Sequence, residues 1–478
     1  MSTSKSLQAG IHKTSTIFCL FMVIILEGYV VLSSELLAIR QSIPFTGSGT
    51  ETVSVIIAAV LMPLAFGYHA GGRFKPKPGF GVRKKLIFNL IVAMMFLIPA
   101  LTYVIIEHLY DLSFDLGIKH RLVQISIYSA LFIITPVYLL GQTIPLISHY
   151  FNKEKLAKIT GRILFFSTMG SFLGAVFSTL VLMSNLGVDL TVGLNFIILT
   201  GLVILLSKNK TSNLVKFAFV VGLFGVVLNS GWMTRKAGIL QSNLYNTIKV
   251  VERGGERHLI LNNSLSSMYS DTGRKYVYLE LAEKLGVKDM PPSDEPRDIL
   301  VVGAGAFTFG FEDEINNYDY VDIDKNLKDV AEDRILLEDL GPNKTFHPMP
   351  ARAFLAQTDK KYDMIYLDTY FGHLTLPEHL VTLDFFLEIK EHLKDESVLL
   401  TNFVGSPNFL DPFSRTLDNT VRAAFPYVSR HVGYQMYNPW NDKIGQIRNI
   451  MYVYRHQTDF GEPAIYTDNK NRAFLDKP

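Results

Sequence analysis

One cysteine, Cys19, stands in a chain of 478 residues, so an intrachain disulfide and a cysteine-built metal site are both excluded. Charge is scarce as well. Asp, Glu, Lys and Arg make up 19% of the residues, against about 25% in an ordinary soluble protein. The scarcity is local. Residues 1–233 hold 18 Lys/Arg and 8 Asp/Glu, whereas residues 234–478 hold 28 and 36. A basic, charge-poor half joined to an acidic, charge-rich half predicts a membrane domain over residues 1–233 and a soluble remainder. The acidic balance of that remainder argues against a nucleic-acid partner, which needs a basic face.

Crossing the hydrocarbon core takes about 20 apolar residues. Seven runs approach that length, at roughly 16–39, 51–71, 86–106, 122–148, 159–183, 188–206 and 216–233. The first is too long for a signal peptide and no small-residue cleavage site follows it, which predicts an uncleaved span. Lys5 and Lys13 precede it and place the N-terminus in the cytoplasm, with the chain multi-pass in the plasma (inner) membrane. Arg73, Lys75, Lys77, Arg83, Lys84 and Lys85 mark the next loop as inside, and Lys153, Lys155, Lys158 and Arg162 do the same for a later one. The loop holding Glu107, Asp111 and Asp115 suits the outside. The seventh run is ambiguous, because basic residues flank both ends (Lys208, Lys210 and Lys216; Arg235 and Lys236). Seven spans put the soluble half outside, and six put it in the cytoplasm.

Ionisable groups within such runs cost at least about 2.5 kcal/mol at a helix centre. Glu27 and Glu35 are eight residues apart and lie near one helix face, and His69 ends the second run. They suggest either a polar cavity or packing groups, with Glu35 paired to Arg40. A transporter reading rests on these three residues alone and has no internal repeat behind it. Ser167, Gly170, Ser171 and Gly174 form a small-residue stripe suited to helix packing.

From Gln241 the periodicity changes. Residues 245–251 and 258–261 read as strands around the Gly254-Gly255 turn, giving a β-hairpin subdomain over 234–290. The polar linker Pro291-Pro292-Ser293-Asp294-Glu295-Pro296 closes it. Over 297–478 strands and helices alternate, which predicts a mostly parallel, doubly wound α/β sheet of Rossmann type. Such sheets bind ligands at the carboxyl ends of their strands. The groups placed there are Gly303 and Gly305 after the first strand, Asp322 and Asp324 at the end of the second, Asp368 after 364–367, and Asn402.

Asp322 follows Gly303 by 19 residues, close to the spacing of a ribose-binding acid. Thr308 replaces the third glycine of a dinucleotide fingerprint, which leaves an adenosine-type ligand as the better fit. The same glycines also serve an ordinary tight turn. His373 and His379, six residues apart on a loop, make no metal pattern.

This order of parts resembles the spermidine synthase (polyamine aminopropyltransferase) family, in its membrane-fused branch. The resemblance covers residues 241 to about 405. It is carried by the hairpin that begins at Tyr245-Asn246, by Val302-Gly303-Ala304-Gly305, Val321-Asp322-Ile323-Asp324, Ala351-Arg352-Ala353-Phe354-Leu355 and Asp363–Asp368, and by Pro377–Thr382. It implies a class I methyltransferase-like fold and a donor, S-adenosylmethionine or its decarboxylated form, held through Gly303, Gly305 and Asp322. It further implies acid–base work at Asp368 or Asp324, a segment at Tyr245 and Asn246 that admits substrate, and a small-molecule amine as acceptor. No metal is implied. Three acids of the family pattern are replaced, by Ala306 in the glycine loop, Pro350 before Ala351, and Phe371. Two readings follow. One is a membrane-bound transferase acting on an amine or another acceptor. The other is a fold kept without its chemistry, serving as a scaffold for a membrane-protein partner or a homo-oligomer.

Overall fold

The computed structural model describes residues 2–47, 49–150, 156–370, 376–407, 409, 411–432 and 448–455, with side chains from residue 17 onward and none for 156–158. The chain divides into two compact units. The first comprises residues 1–253, 258–266 and 371–375, and the second residues 254–257, 267–370 and 376–478.

Among the described residues, six helices of the first unit are long and apolar enough to cross a membrane. They lie in α1 (Ser2–Thr46), α2 (Thr50–Gly72), α3 (Val82–Leu101), α5 (Arg121–Ser148), α6 (Ile159–Met183) and α7 (Gly187–Leu206). The short α4 (Tyr103–Asp115) follows α3. The seventh run becomes α8 (Asn213–Leu228), a shorter apolar helix of 16 residues, and α9 (Gly231–Lys236).

Lipid tails are as apolar as leucine, so helices in a bilayer associate through close backbone approach rather than hydrophobic burial. The small-residue stripe does this: Gly170 and Gly174 of α6 lie against the carbonyl oxygens of Ile25 and Tyr29 in α1, and Gly28 faces Ser167 and Ser171. Gly67 and Gly141 likewise bring α2 and α5 together. The expected Glu35–Arg40 pair is not formed among the described residues. Arg40 turns instead to the sheet, donating from Nε to the Asn243 carbonyl (2.8 Å) and from Nη2 to Thr247 Oγ1 (3.3 Å).

The hairpin is part of a larger sheet, in the order β1 (Ile239–Ser242), β2 (Thr247–Arg253), β3 (Glu256–Leu261), β4 (Ser264–Ser270). Asn262 and Asn263, both at positive φ, make the two-residue turn into β4. The signal for that hairpin was present in the Asn-Asn pair.

In the second unit α10 (Val277–Glu283) precedes a seven-stranded sheet. Its strands are β5 (Asp298–Val302), β6 (Asn317–Asp322), β7 (Lys344–Pro348), β8 (Tyr362–Leu367), β9 (Leu393–Gly405), β10 (Ser429–Val432) and β11 (Arg448–Arg455). The spatial order is β10-β11-β9-β8-β5-β6-β7. The five strands from β9 to β7 are parallel, while β11 and β10 add antiparallel at one edge. The chain moves outward from β5 to β7 and then returns to the other side of β5 as β8, so the topological switch point lies between β5 and β8.

At the opposite end of the strands Lys360 bridges Asp298 and Asp319, and Lys394 bridges Asp298 and Asp363, all at 2.8–3.0 Å. These contacts hold the Asp298 and Asp319 carboxyls below the usual range against the opposing effect of burial.

Replacing Gly174 by Leu drives a side chain into the Tyr29 carbonyl. It is expected to cost roughly 1–3 kcal/mol of bundle stability, read as a lowered melting temperature in detergent. A variant as stable as the wild type would show that α1 and α6 do not depend on this approach.

Candidate functional site at the strand tips

The site begins with a close approach. Gly303 ends β5 at φ +92°, and a Cβ there would collide with the Asp368 carbonyl at the end of β8. Only glycine accommodates both demands. The Gly303 amide donates to the Val321 carbonyl and the Asp368 amide to the Val302 carbonyl, both at 2.9 Å, so the tips of β5, β6 and β8 are tied together.

Asp322, half-buried at the end of β6, receives the Ala304 amide on Oδ2 (3.1 Å) and the Asp324 amide on Oδ1 (3.0 Å). A carboxylate has about four acceptor positions, and the Ile323 amide is a third donor to this one, so one remains. Burial pushes its pKa up to about 6, with the neighbouring Asp324 charge adding to this and the Asp324, Ala304 and Ile323 amides opposing it. Asp368 is half-buried also. Its Oδ2 accepts from Tyr366 Oη (3.0 Å) and its Oδ1 from Asn402 Nδ2 (2.9 Å), with Tyr278 a further donor. Burial raises Asp368 to about 6 against these three hydrogen bonds.

Gly303, Gly305, Asp322 and Asp368 thus gather at the switch point. Asp324 does not join them at the surface: it is 1% exposed, and its Oδ1 accepts the Asn326 amide (3.1 Å) ahead of helix α11 (Leu327–Ala331). Tyr245 and Asn246 belong to the first unit, where Asn262 Nδ2 donates to the Tyr245 carbonyl (3.2 Å) and to Asn246 Oδ1 (2.9 Å). Their visible role is to brace the β3–β4 turn. His379 is exposed on a single helical turn, while Phe371 and His373 lie outside the described residues.

No helix follows the glycine loop. Residues 303–316 run from β5 to β6 as turns, and Ala306, Phe307, Thr308 and Phe309 are buried. The loop is held from outside: the Ala306 amide donates to Ser267 Oγ (3.0 Å) and the Gly310 amide to Glu283 Oε1 (2.8 Å). Glu283 is itself paired with buried Lys275 at 2.6 Å. Phe307 packs edge-on against Tyr320 and Phe346. A dinucleotide pyrophosphate rests on a helix N-terminus after such a loop, and this chain provides none. The supporting groups Ser267, Tyr278, Glu283 and Tyr366 carry no local motif and were not legible in sequence.

Because Asp368 has a raised pKa, it favours the fold at low pH, and that contribution is lost as pH rises through about 6. Asp368→Asn, neutral at every pH, is expected to flatten the decline of melting temperature across that window. An unchanged slope would assign the decline to other groups.

No family model matches the chain. Over 190 residues it is 27% identical to a polyamine aminopropyltransferase of Vibrio vulnificus, spanning 37% of this chain and 62% of that protein. Over 312 residues it is 24% identical to a polyamine aminopropyltransferase of Oceanobacillus iheyensis, spanning 59% of this chain and 60% of that protein. The chain therefore covers about three fifths of the length of each relative. A solved probable spermidine synthase from Corynebacterium glutamicum superposes with a TM-score of 0.38 at 15% identity, over 46% of this chain and 80% of that one.

Proposed function

We propose, for a chain whose α/β half is spermidine synthase-like, that this half binds an S-adenosylmethionine-type nucleoside at the switch point and transfers a group from it to an amine or a related acceptor. The observation that carries the reading is Asp322, fixed by backbone amides at the tip of β6 with an acceptor position left for a ribose hydroxyl. Gly303 sets the turn against the Asp368 carbonyl, and Gly305, also at positive φ, continues the loop beside Asp322. The missing helix after the loop suits a ligand that carries a sulfonium rather than a pyrophosphate.

Asp368 is the base in this reading. With a pKa near 6 it is mostly ionised at neutral pH, and Tyr278, Tyr366 and Asn402 hold it in place. The donor supplies an electrophilic carbon beside its sulfonium. Asp368 accepts the proton that the attacking nitrogen gives up, while the carbon–sulfur bond breaks and its electron pair stays on the sulfur of the thioether product. Asp324, buried and occupied with the Asn326 amide, supports the turn rather than the chemistry.

A second reading is favoured by the replaced acids. Ala306 is fully buried with its amide on Ser267, and Pro350 offers no acceptor side chain, so neither supplies the negative charge that the family pattern uses. On this reading the nucleoside site survives as a binding module within a membrane assembly.

Calorimetry of the full chain in detergent, with S-adenosylmethionine, its decarboxylated form and methylthioadenosine, tests both. Binding of at least one is expected, weakened tenfold or more in Asp322→Ala and falling as pH drops through about 6, where Asp322 takes up its proton. No binding by any of the three would refute the nucleoside site. Asp368→Asn should retain binding and lose about a hundredfold or more of transfer. Binding without transfer in the wild type would select the second reading.

A further inference from the structure

The number of crossings, left open by charge and length, is decided by how the first unit packs. Helix α7 runs from Gly187 to Leu206, and α8 returns along it. Gly222 packs on Thr200, Gly225 on the Phe196 ring, and Thr234 Oγ1 donates to Asp189 Oδ2 at 2.8 Å in the first turn of α7. The chain from 213 to 234 therefore travels back along the whole of α7. Helix α8 alone measures about 24 Å, and α9 completes the distance. Its outer face carries exposed Phe217, Phe219, Val220, Leu223, Phe224 and Val227, a surface that suits lipid and not water.

The end that α8 reaches is the end where the sheet docks. There the carboxyl end of α1 meets the sheet through Arg40, on Asn243 and Thr247. The end of α3 meets α1 and α8, through Gln41 on the Leu101 carbonyl (3.0 Å) and Asn229 on Thr102 (3.1 Å). Just beyond, Tyr103 Oη donates to Asn263 (2.8 Å) and Lys249 pairs with Glu107 at 2.7 Å. The connections at this end carry Glu51, Glu107, Asp111, Asp115 and Asp189 against Lys119, Arg121, Arg235 and Lys236, so acids outnumber bases here. At the other end the Asn89 side chain of α3 reaches the Leu139 carbonyl and Gln142 in α5 (both 3.1 Å), and Gly71 of α2 packs on Gln142. The connections there are the basic ones, at 73–85, 149–162 and 207–216.

We infer that the chain crosses the bilayer seven times with its N-terminus in the cytoplasm, and that everything from Ile239 onward lies on the opposite, non-cytoplasmic face. The basic loops obey the positive-inside rule only in this orientation. No apolar run after residue 236 is long enough to bring the chain back. The inference stands on the helical unit and does not rest on the nucleoside reading, so the two fail separately. It has a chemical consequence. An α/β half on that face meets acceptors of the outer compartment and the bilayer surface.

Cysteine labelling tests it in the full chain with Cys19→Ser as background. Ser293→Cys, in the exposed linker, should react with a membrane-impermeant maleimide on intact cells, while Lys77→Cys, in a basic loop, should react only after permeabilisation. A fusion at Pro478 gives a second readout: alkaline phosphatase should be active there and a cytoplasm-dependent fluorescent reporter dark. Ser293→Cys protected until permeabilisation, or a bright fusion with inactive phosphatase, would overturn the inference.

Discussion

The candidate site depends on one hydrogen bond and the contact that permits it. The Ala304 amide reaches Asp322 because Gly303 turns the chain at positive φ, and Gly303 can turn there because it has no side chain to meet the Asp368 carbonyl. The three strand tips are therefore set by a single backbone geometry, and the two acids on either side of β5 are fixed together. A side chain at 303 would separate β5 from β8 and disturb both carboxylates. The half-buried setting that results raises each acid to a pKa of about 6.

The helix-less crossover explains why the surroundings are built as they are. A β-α-β unit usually covers its sheet with the crossover helix and uses that helix to bind anions. Here a buried loop of turns takes its place, and its amides must be satisfied elsewhere, because an unpaired buried amide costs about 1–3 kcal/mol. Ser267 and Glu283 do this from elements upstream of the sheet, and Lys275 neutralises Glu283. Gly286, in the helical turn after α10, packs directly on Met364 of β8 and Leu400 of β9. The segment before the sheet is thus a structural part of the α/β fold.

In the helical unit the same economy of close contact applies. Glycines on carbonyl oxygens bring α1 to α6 and α2 to α5, where apolar surface alone provides no drive. Polar side chains at one end of the bundle are then spent on the sheet. Arg40, Tyr103 and Glu107 each find a partner in residues 243–263, so that end is fastened by directed bonds while the rest of the bundle is held by packing.

Composition and periodicity by themselves determined the division into an apolar and an acidic half, most of the long helices, and the strands now seen as β5, β6, β8 and β9. Burial of continuous apolar runs is written locally, and so is the position of an acid at a strand tip, which is why Asp322 and Asp368 were legible. Strands β1 and β7 were not, because edge strands are short and polar and owe their existence to a partner. The burial of Asp324, the bracing role of Tyr245 and Asn246, and the turning of Arg40 from Glu35 to the sheet were decided by tertiary structure. Each depends on which backbone group lies within hydrogen-bond reach, and sequence separations of up to about two hundred residues carry no trace of that. The return of α8 along α7 belongs to the same class, since 16 apolar residues fit either a crossing or a surface helix until their neighbours are known.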